Sequence, residues 1–132
     1  MQISSQRRLD FSMTEVRNCC DYDAQPGIVV VRVPLEAGMG AAAVPFFVKL
    51  QDILGNSDGL RALVDFQAVD VVESSVLAEL VALHRRIADQ RGLVCFFGFA
   101  PVIRQSLRQT LLDSLLLIRD DVSSATAALD GS

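Results

Sequence analysis

The sequence predicts an α/β fold, a mixed β-sheet with helices packed on it, and three observations carry that prediction. Through the second half of the chain, apolar runs of strand length alternate with segments whose apolar residues recur at helical spacing. Each helical segment is long enough to return the chain so that successive strands lie parallel. Earlier, two short runs separated by turn-forming residues read as a hairpin, which adds an antiparallel pair. With 132 residues, 51% of them hydrophobic, the chain suits a single domain over residues 1–132. At that size about two-thirds of the surface exposed by the unfolded chain is buried.

The elements follow in order. "FSMTEVRN" (11–18) partly alternates, and "GIVVVRVP" (27–34) is a β-branched run closed by Pro34, with the turn-rich "CCDYDAQPG" between them. After the small-residued "LEAGMGAAAV" comes "PFFVKLQDILG", where Pro45 suits the first helical position and Phe46, Phe47, Leu50, Ile53 and Leu54 share a face. Gly55 is read as a left-handed cap. "LRALVDFQAVDVV" (60–72) reads as a strand apolar on both sides, as in the middle of a sheet. A helix then follows with Val76, Leu77, Leu80, Val81, Leu83, Ile87 and Ala88 on its apolar face and Gly92 as its cap. "LVCFFGF" is a second buried strand, "APVIRQSLRQTLL" a helix begun by Pro101, "SLLLIRDD" a strand, and "SSATAALD" a closing helix with a serine cap.

Composition narrows the function. Net charge is −4 and the basic residues are scattered among acids, so direct nucleic-acid binding is not expected. The opening "MQISSQRRLD" lacks the apolar core of a signal peptide. No uncharged apolar stretch approaches the roughly twenty residues that span a bilayer. Three cysteines, two of them the neighbours Cys19 and Cys20, argue for a reduced, cytoplasmic protein, with Cys95 a small core hydrophobe. Metal-ligand, phosphate-loop and dinucleotide motifs are all missing, and neither a cofactor nor a metal is expected.

The junction "VDVVESSVLAEL" raises the functional question, because two hydroxyls stand where the apolar run gives way to a helix. One serine, Ser74, serves as the helix cap; the second is not explained by capping. A phosphate on it would face the positive end of the helix dipole. Catalysis by this serine would need His84, the chain's one histidine, as base. Nine helical residues separate them, about 13.5 Å of rise and half a turn out of phase, so the two cannot pair and no catalytic residues are expected.

At this point the order of elements and the residues "LVDFQAVDVVESSVLAELVALHRRIADQRG" resemble the STAS domain, shared by anti-sigma factor antagonists and the cytoplasmic tails of sulphate transporters. The family pattern is a strand ending in an aspartate, then two serines, a glycine and a leucine. Here Glu73, Ser74, Ser75, Val76 and Leu77 stand in those places. Asp65 sits where such domains carry an upstream acid, and "FGFAPVIRQSLRQTLLDSLL" resembles the later strand and proline-started helix.

The resemblance implies a STAS-like domain that is no enzyme: an anti-sigma factor antagonist working by phosphorylation-controlled partner switching. Its partners would be an anti-sigma factor that is also a serine kinase, and a serine phosphatase; a homodimer is a further possibility. The phosphorylated residue would be Ser75, with Ser74 the alternative, and Glu73, Ser74, Ser75, Val76 and Leu77 would form the partner-binding segment. The alternative is a STAS scaffold subunit of a signalling or transporter complex that is never phosphorylated. Val76 is the departure that favours it, because a β-branched residue in glycine's place would crowd a docking kinase if it pointed outward. The apolar approach "EAGMGAAAV" and the helix from Pro45 are expected to join the recognition surface or a self-contact, the alternative being that they cover the sheet.

Overall fold

The computed structural model describes residues 20–25 and 28–130. Its five strands are β1 (Cys20–Gln25), β2 (Ile28–Arg32), β3 (Arg61–Asp65), β4 (Leu93–Phe97) and β5 (Leu117–Arg119), lying side by side in chain order. β1 and β2 pair antiparallel, with Cys20 opposite Val31 and an irregularity between Asp21 and Gln25. The remaining neighbours are parallel, aligned as Val31 with Val64, Val64 with Phe96, and Phe96 with Ile118. The connections are α1 (Ala43–Leu54) after a single 3-10 turn at Leu35–Ala37, α2 (Ser74–Asp89), and α3 (Pro101–Gln109) with the short α4 (Leu112–Leu115). α5 (Val122–Asp130) closes the described chain. The first strand falls inside the segment read as a turn, while "FSMTEVRN" lies outside the described residues.

Strand periodicity divides the core in two. Val31, Ala62, Val64, Val94, Phe96 and Ile118 point to one face and meet Phe46, Phe47 and Leu50 of α1, Leu80, Leu83 and Ile87 of α2, and Ile103 and Leu107 of α3. Ile28, Val30, Leu63, Cys95 and Phe97 point to the other and pack with Ala125 and Leu129 of α5. The central strands therefore feed both cores, which is why their interior positions are apolar on both faces. Burial pushes the Cys95 thiol up to about 11, with Arg119 opposing in part, so it remains a neutral core side chain at physiological pH.

Several boundaries differ from the sequence expectation. β3 ends at Asp65, and residues 66–73 form an ordered loop. Phe66 and Val69 are buried at 0% and 1% exposure within it, so the run remains apolar although it is no longer strand. α1 begins at Ala43, two residues before Pro45, and Gly55 is right-handed at φ −76°. What Gly55 supplies is space, since any Cβ there would collide with the Arg86 side chain. Arg86 crosses this point to reach Asp52 at 3.2 Å and Asn56 at 3.3 Å, clasping α1 to α2. The left-handed residue after α2 is Arg91, at φ 62°, and Gly92 is needed because a Cβ would meet the Leu60 carbonyl oxygen. The last helix is capped by Asp121, whose carboxylate accepts the Ser124 N–H at 2.8 Å, instead of by a serine. That bond, with the Ser124 hydroxyl second, holds the Asp121 carboxyl below its usual range.

One aromatic cluster joins the layers. Phe66 stacks on Phe99 with ring centroids 4.5 Å apart, lies parallel to Phe47 at 6.1 Å and touches Phe96 at 6.3 Å. We expect Phe66→Ala to lower the unfolding free energy by about 3–5 kcal/mol. A urea titration checks this, and a midpoint shift worth under about 1 kcal/mol would contradict Phe66 as the packing centre.

Candidate functional site

The site is built by the loop between β3 and α2. As β3 ends, the Phe66 N–H donates to the Phe97 carbonyl at 2.9 Å and the Gln67 N–H to Asp65 Oδ1 at 2.8 Å. The upstream acid thus turns the chain out of the sheet. Gly98, at φ +81°, packs against this turn, where a Cβ would lie 2.6 Å from Gln67 Cγ. The chain dips inward again at Val69, whose N–H donates to the Phe66 carbonyl at 3.0 Å. From there it meets the loop before α1. The Glu73 N–H donates to the Gly38 carbonyl at 2.9 Å, and a Cβ on Gly38 would collide with the Val71 carbonyl oxygen. Two loops distant in sequence are thereby locked together at the start of α2.

Glu73, extended at φ −82° and ψ 160°, is the N-cap of α2. Its carbonyl accepts the Val76 N–H at 2.9 Å and the Leu77 N–H at 3.4 Å, but its side chain makes no capping bond. Ser74 and Ser75 are consequently the first two helical residues, which corrects the expectation that Ser74 is the cap. Both are exposed. The backbone N–H groups of a first turn have no helical acceptor, and no acid lies within the first turn itself. The Ser75 hydroxyl donates to Glu73 Oε1 at 3.2 Å.

The predicted partner-binding segment divides between core and surface. Val76 is fully buried with Leu80, Leu83 and Ile87, so it packs inward and is not beside Ser75 in a partner's path. Burying a branched side chain gives more than leaving it beside two polar hydroxyls, and helical spacing places Val76 on the same stripe as Leu80 and Leu83. Glu73 and Leu77 are half-buried. His84 lies in the same continuous helix as Ser75, nine residues on, with its Nδ1 buried and unpartnered.

The two loops that meet before α2, and α3, expose apolar side chains that the sequence signalled only in part. Leu35 and Met39 are 56% and 54% exposed, Val71 is 50% and Val102 is 63%. A groove of about 180 Å³ runs between Asp70, Val71, Val72 and Leu77 on one side and Val102, Ile103 and Ser106 on the other. Met39 belongs to the segment singled out for its apolarity. By contrast Phe46 and Phe47 are fully buried and cover the sheet. Val102 gave no signal, since one valine in a helical pattern does not reveal which way it faces. A larger open cleft, about 660 Å³, lies by α3 and the end of β5, lined by Phe99, Arg104, Arg108 and Asp120. There Arg104 is already paired with Asp120 at 3.0 Å.

Among the described residues no group of three or more His, Cys, Asp or Glu side chains could hold a metal ion. No helix among them is long and apolar enough to cross a membrane.

Comparison with known proteins places this geometry. The STAS domain pattern matches residues 20–125. A crystal structure of a candidate anti-sigma factor antagonist from Thermotoga maritima superposes with a TM-score of 0.68 at 18% identity, covering 84% of this chain and 94% of that one. An anti-sigma-factor antagonist (STAS) domain protein from Planctomyces limnophilus gives 0.70 at 17%, covering 84% and 96%. At these identities the likeness is one of fold. No curated protein matches the sequence.

With Val76 in the core, Val76→Gly should cost about 2–3 kcal/mol of stability, from lost burial and glycine's helix penalty. Ser75→Ala should stay within about 0.5 kcal/mol of wild type. Urea midpoints measured on both variants check the contrast, and equal midpoints would place Val76 outside the core.

Proposed function

The chain belongs to the STAS domain family, and we propose that it is an anti-sigma factor antagonist whose partner binding is switched off by phosphorylation of Ser75. The observation that carries this reading is the placing of Ser75: an exposed hydroxyl on the first turn of α2, at the end of a loop that exposes Val71 and is fixed against the Gly38 loop. The partner is an anti-sigma factor that is also a serine kinase, with a serine phosphatase to reset the site, all in the cytoplasm. The protein acts by binding, not by catalysis. Val76 was the ground for a scaffold that is never phosphorylated, and its burial withdraws that support.

The energetics favour a switch that spares the fold. Unmodified Ser75 is neutral, and the surface around it can lose water against a partner at little cost. Phosphate adds about −1.5 to −2 charge beside Glu73. In the free protein the helix dipole and solvent tolerate that charge, with a dipole contribution of about 0.3–1 kcal/mol. Against a partner the same charge must be desolvated next to a carboxylate, at several kcal/mol per ion. Moving a complex from almost fully bound to almost fully free needs roughly 5.5 kcal/mol, which lies within that range.

Incubation with the cognate anti-sigma kinase and ATP, followed by phosphopeptide mapping, should place phosphate on Ser75 and not on Ser74. Ser75→Ala should take up none and hold the partner constitutively, while Ser75→Asp should bind weakly. Phosphate on Ser74, or on neither serine, would overturn the proposal.

A further inference from the structure

We propose that Glu73 is the residue that selects between the two adjacent serines, by holding the Ser75 hydroxyl in one orientation for phosphoryl transfer; this rests on the reading of Ser75 as the phosphoacceptor. Ser74 and Ser75 are chemically identical, neighbouring and both exposed, so accessibility alone gives a kinase no basis for choice. Successive helical residues diverge by about 100°, so the two hydroxyls leave the helix in different directions. Only one of them is held: Ser75 Oγ donates to Glu73 Oε1 at 3.2 Å, and no hydrogen bond is made by the Ser74 side chain among the described residues.

Glu73 suits this role because its own backbone is pinned on both sides. Its N–H is tied to the Gly38 carbonyl and its carbonyl receives Val76 N–H, so the side chain starts from a fixed point and reaches forward over the first turn. A short acidic side chain at an N-cap folds back onto the second or third N–H of the helix. The longer glutamate arm makes no such bond here and meets the hydroxyl instead.

The consequence for transfer is orientation. With its hydrogen directed at Glu73, Ser75 Oγ presents its lone pairs away from the carboxylate, towards an approaching γ-phosphorus. The Oγ–P bond forms as the bond from that phosphorus to the bridging oxygen breaks, and ADP leaves with the electron pair. The hydroxyl proton is given up late, along the existing hydrogen bond to Glu73 and on to solvent in wild type, or directly to solvent where glutamine stands. Phosphoryl transfer proceeds through a loose transition state in which the proton moves late, so orientation outweighs base strength. Glutamine, which accepts a hydrogen bond but not the proton, should therefore preserve the choice of serine.

The test uses the full chain as wild type, Glu73→Gln and Glu73→Ala. In unmodified protein, Hα–Hβ couplings of Ser75 should show one rotamer in wild type and Glu73→Gln and averaging in Glu73→Ala, with Ser74 averaged in all three. After kinase and ATP, the ratio of phosphate on Ser75 to Ser74 should fall by about tenfold or more in Glu73→Ala, and by less than about threefold in Glu73→Gln. Urea midpoints confirm that each variant is folded. A wild-type ratio in Glu73→Ala, or equal Ser75 averaging in wild type and Glu73→Ala, overturns the role of Glu73 and leaves the proposed function standing. Phosphate on neither serine in wild type overturns the proposed function itself.

Discussion

The structure depends on where Phe66 sits. It is the first residue beyond β3, its N–H is bonded to the end of β4, and its ring is held by Phe47 of α1, Phe96 of β4 and Phe99 of the next loop. Its N–H makes the last bond to β4, and the chain leaves the sheet at Gln67, whose N–H is taken by Asp65 Oδ1 instead of by a neighbouring strand. The ring contacts fix the start of the loop that ends at the serines. Val69 supplies the second anchor and the Gly38 contact the third, so the loop has little freedom left when it reaches Glu73. A buried aromatic centre thus determines the position of an exposed hydroxyl.

α2 divides its work between two faces. Val76, Leu80, Leu83 and Ile87 form a continuous buried stripe, and the Arg86 clasp fastens the far end to α1. Ser74 and Ser75 lie off that stripe at the other end. Chemistry on the hydroxyls therefore acts on a surface without touching a core contact. For partner switching this separation matters, because a modification that melted the helix would also destroy the surface to be restored on dephosphorylation.

The fold was legible where pattern and structure share a cause. β4 and the Pro101 start of α3 follow from composition and proline geometry, and the both-sided apolarity of β3 and β4 announced a parallel sheet covered on two faces. The misreadings share a different cause. Residues 66–72 read as strand because a loop anchored in the core by Phe66 and Val69 needs the same side chains at those points as a buried strand, and periodicity cannot separate the two. Gly55 does stand at the C-cap of α1, though right-handed, and Gly92 lies beyond the end of α2; both are glycines because another chain segment passes too close for a Cβ. That information is tertiary. Around the candidate site, the position of the serine pair at a helix start was legible, whereas the role of Glu73 as cap, the inward turn of Val76 and the exposure of Val71 and Val102 required the packing of four segments against one another.

In the proposed switch, one charge on Ser75 decides whether the surface around it can be buried. The most direct test is calorimetric: the dissociation constants of the unmodified and the Ser75-phosphorylated chain for the same anti-sigma factor, measured at the same salt. A near-complete switch corresponds to a ratio of about 10⁴, with tight binding by the unmodified form and both forms unfolding at similar urea concentrations. Equal dissociation constants, or weaker binding explained by an unfolded phosphorylated form, would contradict it.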